Sequence, residues 1–297
     1  MKRWMLFFLA ILALPARADL RVLACEPEWA ALAAELGGEH VAATSATTAL
    51  QDPHHIEARP SLIARARNAD LLVCTGAELE IGWLPILQRE AGNPRIQAGA
   101  PGYLEAAALV PLLERPARVD RSEGDVHAAG NPHIQTDPRN VLRVAAALAQ
   151  RLAQLDPANA AHYAARHADF GRRWQAALAR WEAQAVPLRG VEVVSQHKGF
   201  PYLYAWLGMR EVAVLEPKPG VEPSAGHLAA VQQRLAARPP RMILRAAYQS
   251  GRASEWLAAR SGLPVVVLPY SVGGSAQARD LFGLFDDTLA RLLAAVK

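Results

Sequence analysis

"ANAAHYAARHADFGRRWQAALARWEAQAV", residues 158–186, carries no proline and a helical pattern throughout. It follows Asp156-Pro157, a helix start, and a second start lies upstream at Thr136-Asp137-Pro138. One helix of about 29 residues at about 1.5 Å per residue would run roughly 43 Å. That exceeds the usual element inside a compact domain and suits a strut between two lobes.

The flanking sequence agrees. On the N-terminal side the apolar runs "LRVLAC", "HVAATSAT" and "DLLVCTG" read as strands, with "EWAALAAELG" and "PSLIARARNA" as helices between them. On the C-terminal side "GVEVVSQH", "EVAVLEP", "RMILRA" and "LPVVVLPYS" read as strands, and "SAGHLAAVQQRLAAR", "SEWLAARSG" and "ARDLFGLFDDTLARLLAAV" as helices. Alternation of this kind predicts an α/β fold of two lobes with parallel-type sheets, joined by a long rigid helix. The expected division is a signal peptide at 1–18, an N-terminal α/β lobe at 19–155, the connecting helix at 156–186 and a C-terminal α/β lobe at 187–297.

The leader is read from Lys2 and Arg3, the apolar run Trp4 to Leu14, and the small residues of Ala16-Arg17-Ala18. An apolar run of roughly 11 residues is shorter than the ~20 that span a bilayer, and no later uncharged segment reaches that length. A soluble, exported protein is the expectation. Loss of Lys2, Arg3 and Arg17, with no acid among residues 1–18, lowers the formal charge from +4 to +1. No Lys/Arg stripe remains that would track phosphates, which argues against nucleic acid as a partner. The two cysteines, Cys25 and Cys74, each end an apolar run. They could pair or stand as buried thiols, since sequence does not give their separation. Asp19 and Arg21 break the run that a lipidation site at Cys25 would need.

In open α/β sheets ligands lie beyond the carboxyl ends of strands. Of nine histidines, His54 and His55 follow the second strand candidate, His133 lies in "GNPHIQTDP" before a helix, and His197 follows a strand in "VVSQHKGFPYL". His127 belongs to a polar loop with Asp120, Glu123 and Asp125. His162, His167 and His227 fall in or near helices and His40 in a turn, where solvated or packed imidazoles are the plain reading. Three loop histidines from two halves of the chain could meet in the interlobe cleft, and neutral imidazole is a favoured zinc ligand. Asp280, before the last helix, is the best placed acid for a fourth ligand, although an acid there is also stabilised by the helix dipole. A water is the other way to complete the shell.

"DPHHIEARPS", "GNPHIQTDPRNV", "VVSQHKGFPYL" and "EPKPGVEPSAGHL", in this order, resemble the metal-binding solute-binding proteins of bacterial ABC importers for zinc and manganese. The resemblance covers essentially the whole chain after the leader. It implies His54 rather than His55, His133 and His197 as metal ligands. Histidine at the third position implies the zinc-type subgroup, since manganese-type members tend to carry a carboxylate there and harder oxygen ligands suit manganese. Where family members commonly show an aspartate after the last strand, this chain has Tyr270 and Ser271, so Asp280 would have to reach in from the helix start. The implied function is capture of Zn²⁺ in the periplasm by a monomer and delivery to a membrane permease with its ATPase. The loop around His127 resembles a short form of a His-rich loop that gathers metal or meets a metallochaperone, and it reads equally as an ordinary disordered surface loop. The alternatives are a manganese importer component and a secreted zinc-dependent hydrolase, for which Glu57 is the candidate base. No GxSxG, P-loop or GxGxxG motif is present, and no enzymatic activity is expected.

Overall fold

The computed structural model describes residues 20–116, 124 and 127–297. The leader expected at 1–18, and Asp120, Glu123 and Asp125 of the polar loop, lie outside the described residues. The first lobe runs β1 (Leu20–Ala24), α1 (Pro27–Gly37), β2 (Val41–Ser45), α2 (Pro60–Asn68), β3 (Leu71–Cys74), α3 (Leu84–Ala91) and β4 (Tyr103–Glu105). Two helices follow, α4 (Pro138–Leu155) and α5 (Ala160–Gln184). The second lobe runs β5 (Glu192–Ser195), α6 (Pro201–Leu207), β6 (Arg210–Val214), α7 (Ala225–Ala236), β7 (Met242–Ala246), α8 (Arg252–Ser261), β8 (Val265–Leu268) and α9 (Leu281–Val296).

Both sheets are wholly parallel and share one strand order, β2-β1-β3-β4 and β6-β5-β7-β8. In each, the chain reverses direction across the sheet between the first and third strands, which opens a crevice at their carboxyl ends. The expected two-lobe α/β architecture is therefore present. Three elements carry no clear sequence signal. They are α3, the three-residue β4, and α6, whose stretch "PYLYAWL" is too short and evenly apolar to show a period.

Helix α5 has 25 residues, with single 3-10 turns before and after it where the sequence predicts continued helix. Its Tyr163, Phe170, Trp174, Ala177 and Trp181 are buried along one face. The Trp174 indole donates to the Pro138 carbonyl at 2.8 Å in α4, and the Trp181 indole donates to Asp286 at 2.6 Å in α9. Phe282 and Phe285 of α9 pack edge-on or tilted against these rings. One continuous apolar core thus passes from α1 and α4 through α5 to α9 and contains residues of both sheets. Such a core resists wide hinge opening, because every step of separation exposes large aromatic surface.

Cys25 and Cys74 form a disulfide with Cα atoms 4.7 Å apart, which resolves the two readings left open by sequence. Parallel pairing of β1 with β3 brings the two strand ends side by side. Both cysteines are fully buried. Among the described residues no helix is long and apolar enough to cross a membrane.

Candidate metal centre

His54, His133 and His197 converge between the lobes. Each offers a ring nitrogen lying within 4.8 Å of the other two, and all three residues are buried. The ring centroids form a nearly equilateral triangle, 5.4 Å from His54 to His133, 5.7 Å from His54 to His197 and 5.5 Å from His133 to His197. His133 Nε2 and His197 Nε2 stand 3.4 Å apart. Nitrogen ligands at about 2.0–2.1 Å around one tetrahedral ion would be spaced by about 3.3 Å, so this pair is already near coordination spacing.

The local chain explains each position. After β2 the Asp52-Pro53 turn lets Asp52 Oδ1 accept both the His54 backbone N–H at 3.0 Å and a bond with His54 Nδ1 at 2.7 Å. The Trp83 indole donates to the Pro53 carbonyl and pins the turn. With Nδ1 bound, His54 directs Nε2 inward, and that atom is buried with no protein partner. His197, two residues beyond β5, repeats the device, with Nδ1 2.7 Å from Glu216 Oε2. Carboxylates in this role set tautomer and ring orientation and raise ligand basicity. His133 is held through its backbone instead, its N–H donating to Asn131 Oδ1 at 3.0 Å. Asn131 Nδ2 also donates to the Lys198 carbonyl at 2.8 Å, which ties the His133 turn to the residue after His197 across the cleft.

Burial, followed by repulsion from the neighbouring rings, holds His133 well below the ordinary imidazole value. It therefore stays neutral, the form that binds metal. Partial burial pushes Asp52 up, but the bonds and charge of His54 outweigh it and leave the carboxyl below its usual range.

Asp280 is not brought to this cluster. Its side chain is exposed and caps α9, accepting the Gly283 N–H at 2.8 Å. The helix-start signature that drew attention to it is satisfied by the helix itself. Tyr270 stands nearer the site, buried, with its ring 5.8 Å from His133 and φ of 67°. His55 is exposed, and so is Glu57, which belongs to none of the metal-competent groups among the described residues.

The structure adds His127. Its ring stacks on His54 at 5.4 Å and lies 6.4 Å edge-on from His133, and its Nε2 is buried without a partner. Burial, then the charges of His54 and His197, push it down to about 4, so it too is neutral. Glu78 Oε2 accepts the next backbone N–H, Ala128, at 2.6 Å. Gly76, Ala77 and Glu78 are three consecutive left-handed residues, two of them not glycine. Backbone of this kind persists only where the surroundings enforce it. The sequence marks the His127 loop as polar but gives no sign of its contact with His54. Of the two orienting carboxylates, Asp52 carries a sequence signal, an acid two residues before a loop histidine, whereas Glu216 lies 19 residues from His197 and carries none.

The family model for the zinc-uptake complex component A, periplasmic, matches residues 22–295. The chain belongs to that family. The high-affinity zinc uptake system protein ZnuA of Bacillus subtilis (strain 168) is 24% identical over 83% of this chain and 76% of its own length. The protein of that name from Paracoccus denitrificans (strain Pd 1222) is 26% identical over 75% of each. A crystal structure of ZnuA superposes with a TM-score of 0.79 at 22% identity, covering 94% of this chain and all of that one. A ZnuA 138–173 deletion mutant with zinc bound gives 0.75 at 23% identity, covering 93% of this chain and 97% of that one. At these identities the solved structures speak for the fold.

Proposed function

We propose that this protein is the periplasmic zinc-binding component of an ABC importer, capturing Zn²⁺ between its lobes and presenting it to a membrane permease and its ATPase. The observation that carries the reading is the triangle of His54, His133 and His197, buried, with two of the rings oriented by carboxylates. Family membership and the names of the relatives support zinc as the ion. An all-nitrogen donor set favours zinc over manganese, which prefers oxygen.

His127 takes the fourth position that Asp280 does not reach. Its Nε2 is buried without a partner and its ring stacks 5.4 Å from His54, but it lies outside the group of three whose ligand atoms are all within 4.8 Å of one another, so its side chain would have to shift toward a bound ion. Four protein ligands leave no open position for a substrate, which counts against the hydrolase reading. Export through a cleaved leader at 1–18, action as a monomer and the absence of turnover belong to the same proposal, and a metallochaperone is a candidate donor of the ion at the His127 loop.

The test is competitive Zn²⁺ titration of chelator-stripped protein against the single alanine variants. One tight ion per chain, weakened at least tenfold by each of His54→Ala, His133→Ala and His197→Ala, is expected. A smaller loss is expected for His127→Ala, and none for Asp280→Ala. Wild-type binding no tighter than the His54/His133/His197 triple variant would remove the reading.

A further inference from the structure

Away from the cleft, the turn after α1 meets the first turn of α5. Here Glu39, His40 and His162 each offer a donor atom, and the three atoms lie within 4.8 Å of one another. His40 Nε2 is 3.9 Å and His162 Nδ1 is 4.0 Å from the same oxygen, Glu39 Oε1. The two rings meet edge to face at 4.6 Å.

His162 is positioned by the chain. Its Nε2 lies 3.0 Å from the Gly37 carbonyl, so Nε2 carries the proton and Nδ1 presents a bare lone pair toward Glu39. Binding through one ring nitrogen while the other donates to a backbone carbonyl is how metal-bound histidines are commonly oriented. Gly38 permits the approach. It has φ of 55°, and a Cβ there would sit 3.1 Å from His162 Nε2. The positive charges beside the cluster have partners of their own. Arg166 acts on Glu39, and it is engaged by Glu35, with Nε donating to the Glu35 carbonyl at 2.7 Å and Nη2 3.8 Å from its carboxylate. Arg173 also pairs with Glu35.

We propose that Glu39, His40 and His162 form a second, outer metal site that takes a divalent ion of the zinc class, with water completing the shell. Two imidazoles and one carboxylate suit zinc among common biological cations. Donors at 3.9–4.0 Å are slightly wider than the roughly 3.3 Å of a tetrahedral site. The Glu39 side chain is 72% exposed, which leaves room for it to swing in. The ion would clamp the end of α1 to the start of α5. Exposure makes the site weaker than the buried one, so it fills second.

Equilibrium dialysis of the stripped protein with Zn²⁺ alone tests this. Two ions per chain are expected, with the weaker lost in His40→Ala/His162→Ala and weakened at least tenfold in Glu39→Gln. The His54/His133/His197 triple alanine variant should keep the outer ion, and zinc should still raise its Tm. A stoichiometry of one, or a second ion that survives the double variant, overturns the site. If loss of the His162 bond to Gly37 impairs folding, His40→Ala with Glu39→Gln removes two donors and leaves that bond in place. The triple variant separates this proposal from the reading of the cleft, since each can fail alone.

Discussion

Asp52 Oδ1 accepts two bonds from His54, one from the backbone N–H at 3.0 Å and one at Nδ1 at 2.7 Å. A single oxygen thereby fixes both the turn and the ring. Asp52→Ala is expected to weaken zinc binding about 10–100-fold with little change in Tm. Competitive titration decides, and unchanged affinity would mean that the Trp83 bond to Pro53 alone orients His54.

Glu216 plays the matching part in the other lobe, and it also accepts the Gly220 N–H at 2.8 Å. Glu216→Gln keeps the size but removes the charge that supports the His197 ring. About a tenfold loss of affinity is expected, again read by competition with a chelator.

The Cys25–Cys74 disulfide closes a stretch with a sequence separation of 49. A loop of that length corresponds to about 4 kcal/mol in the chain-entropy model, and measured values commonly fall at about 2–4 kcal/mol. Chemical denaturation of Cys25→Ala/Cys74→Ala should show a loss of that order. Zinc affinity should hold, because neither sulfur belongs to the histidine group.

Trp174 is fully buried on α5 and bonds across to Pro138. Trp174→Ala should cost about 3–5 kcal/mol, seen as one cooperative shift in thermal unfolding of the whole chain. Two separated transitions, one per lobe, would show that the shared core does not couple them.

Three buried carboxyls, Glu26, Glu28 and Glu80, lie together beneath the interlobe seam. Burial drives Glu28 up to about 7, opposed by the Ser271 hydroxyl and reinforced by Glu80, while Glu80 is likewise about 7 through burial. Each carboxyl then binds its proton more tightly folded than unfolded. Their contribution to stability is fully present below the ordinary value near 4.5 and is lost as pH rises through about 7. Glu28→Gln should therefore raise Tm relative to wild type at pH 8, with the advantage shrinking toward pH 5. A pH-independent difference in parallel melts would remove Glu28 from this account.

Sequence carried the fold where patterns were long. The α5 stretch and seven of the strands have clear periods or β-branched runs, while β4 has three residues and α6 is apolar all round. The three cleft histidines were legible because each sits in a loop past a strand or before a helix. Asp280 misled because a carboxylate before a helix serves as a cap in the same sequence context that a ligand would occupy. His127 was hidden by a loop whose path sequence does not specify. His40 and His162 are far apart in sequence and meet only when the turn after α1 docks on α5, so their plain reading as unrelated histidines had no local signal against it.

The histidines proposed as ligands of the cleft are unevenly shared. His54, His127 and His133 belong to segments that precede α5, and His197 alone comes from the lobe beyond it. On that assignment a bound ion would be anchored to one half of the molecule and latched to the other by a single bond. If the halves parted even slightly, only that latch would have to break, and the cargo would stay aboard the first lobe, exposed on one side to whatever accepts it.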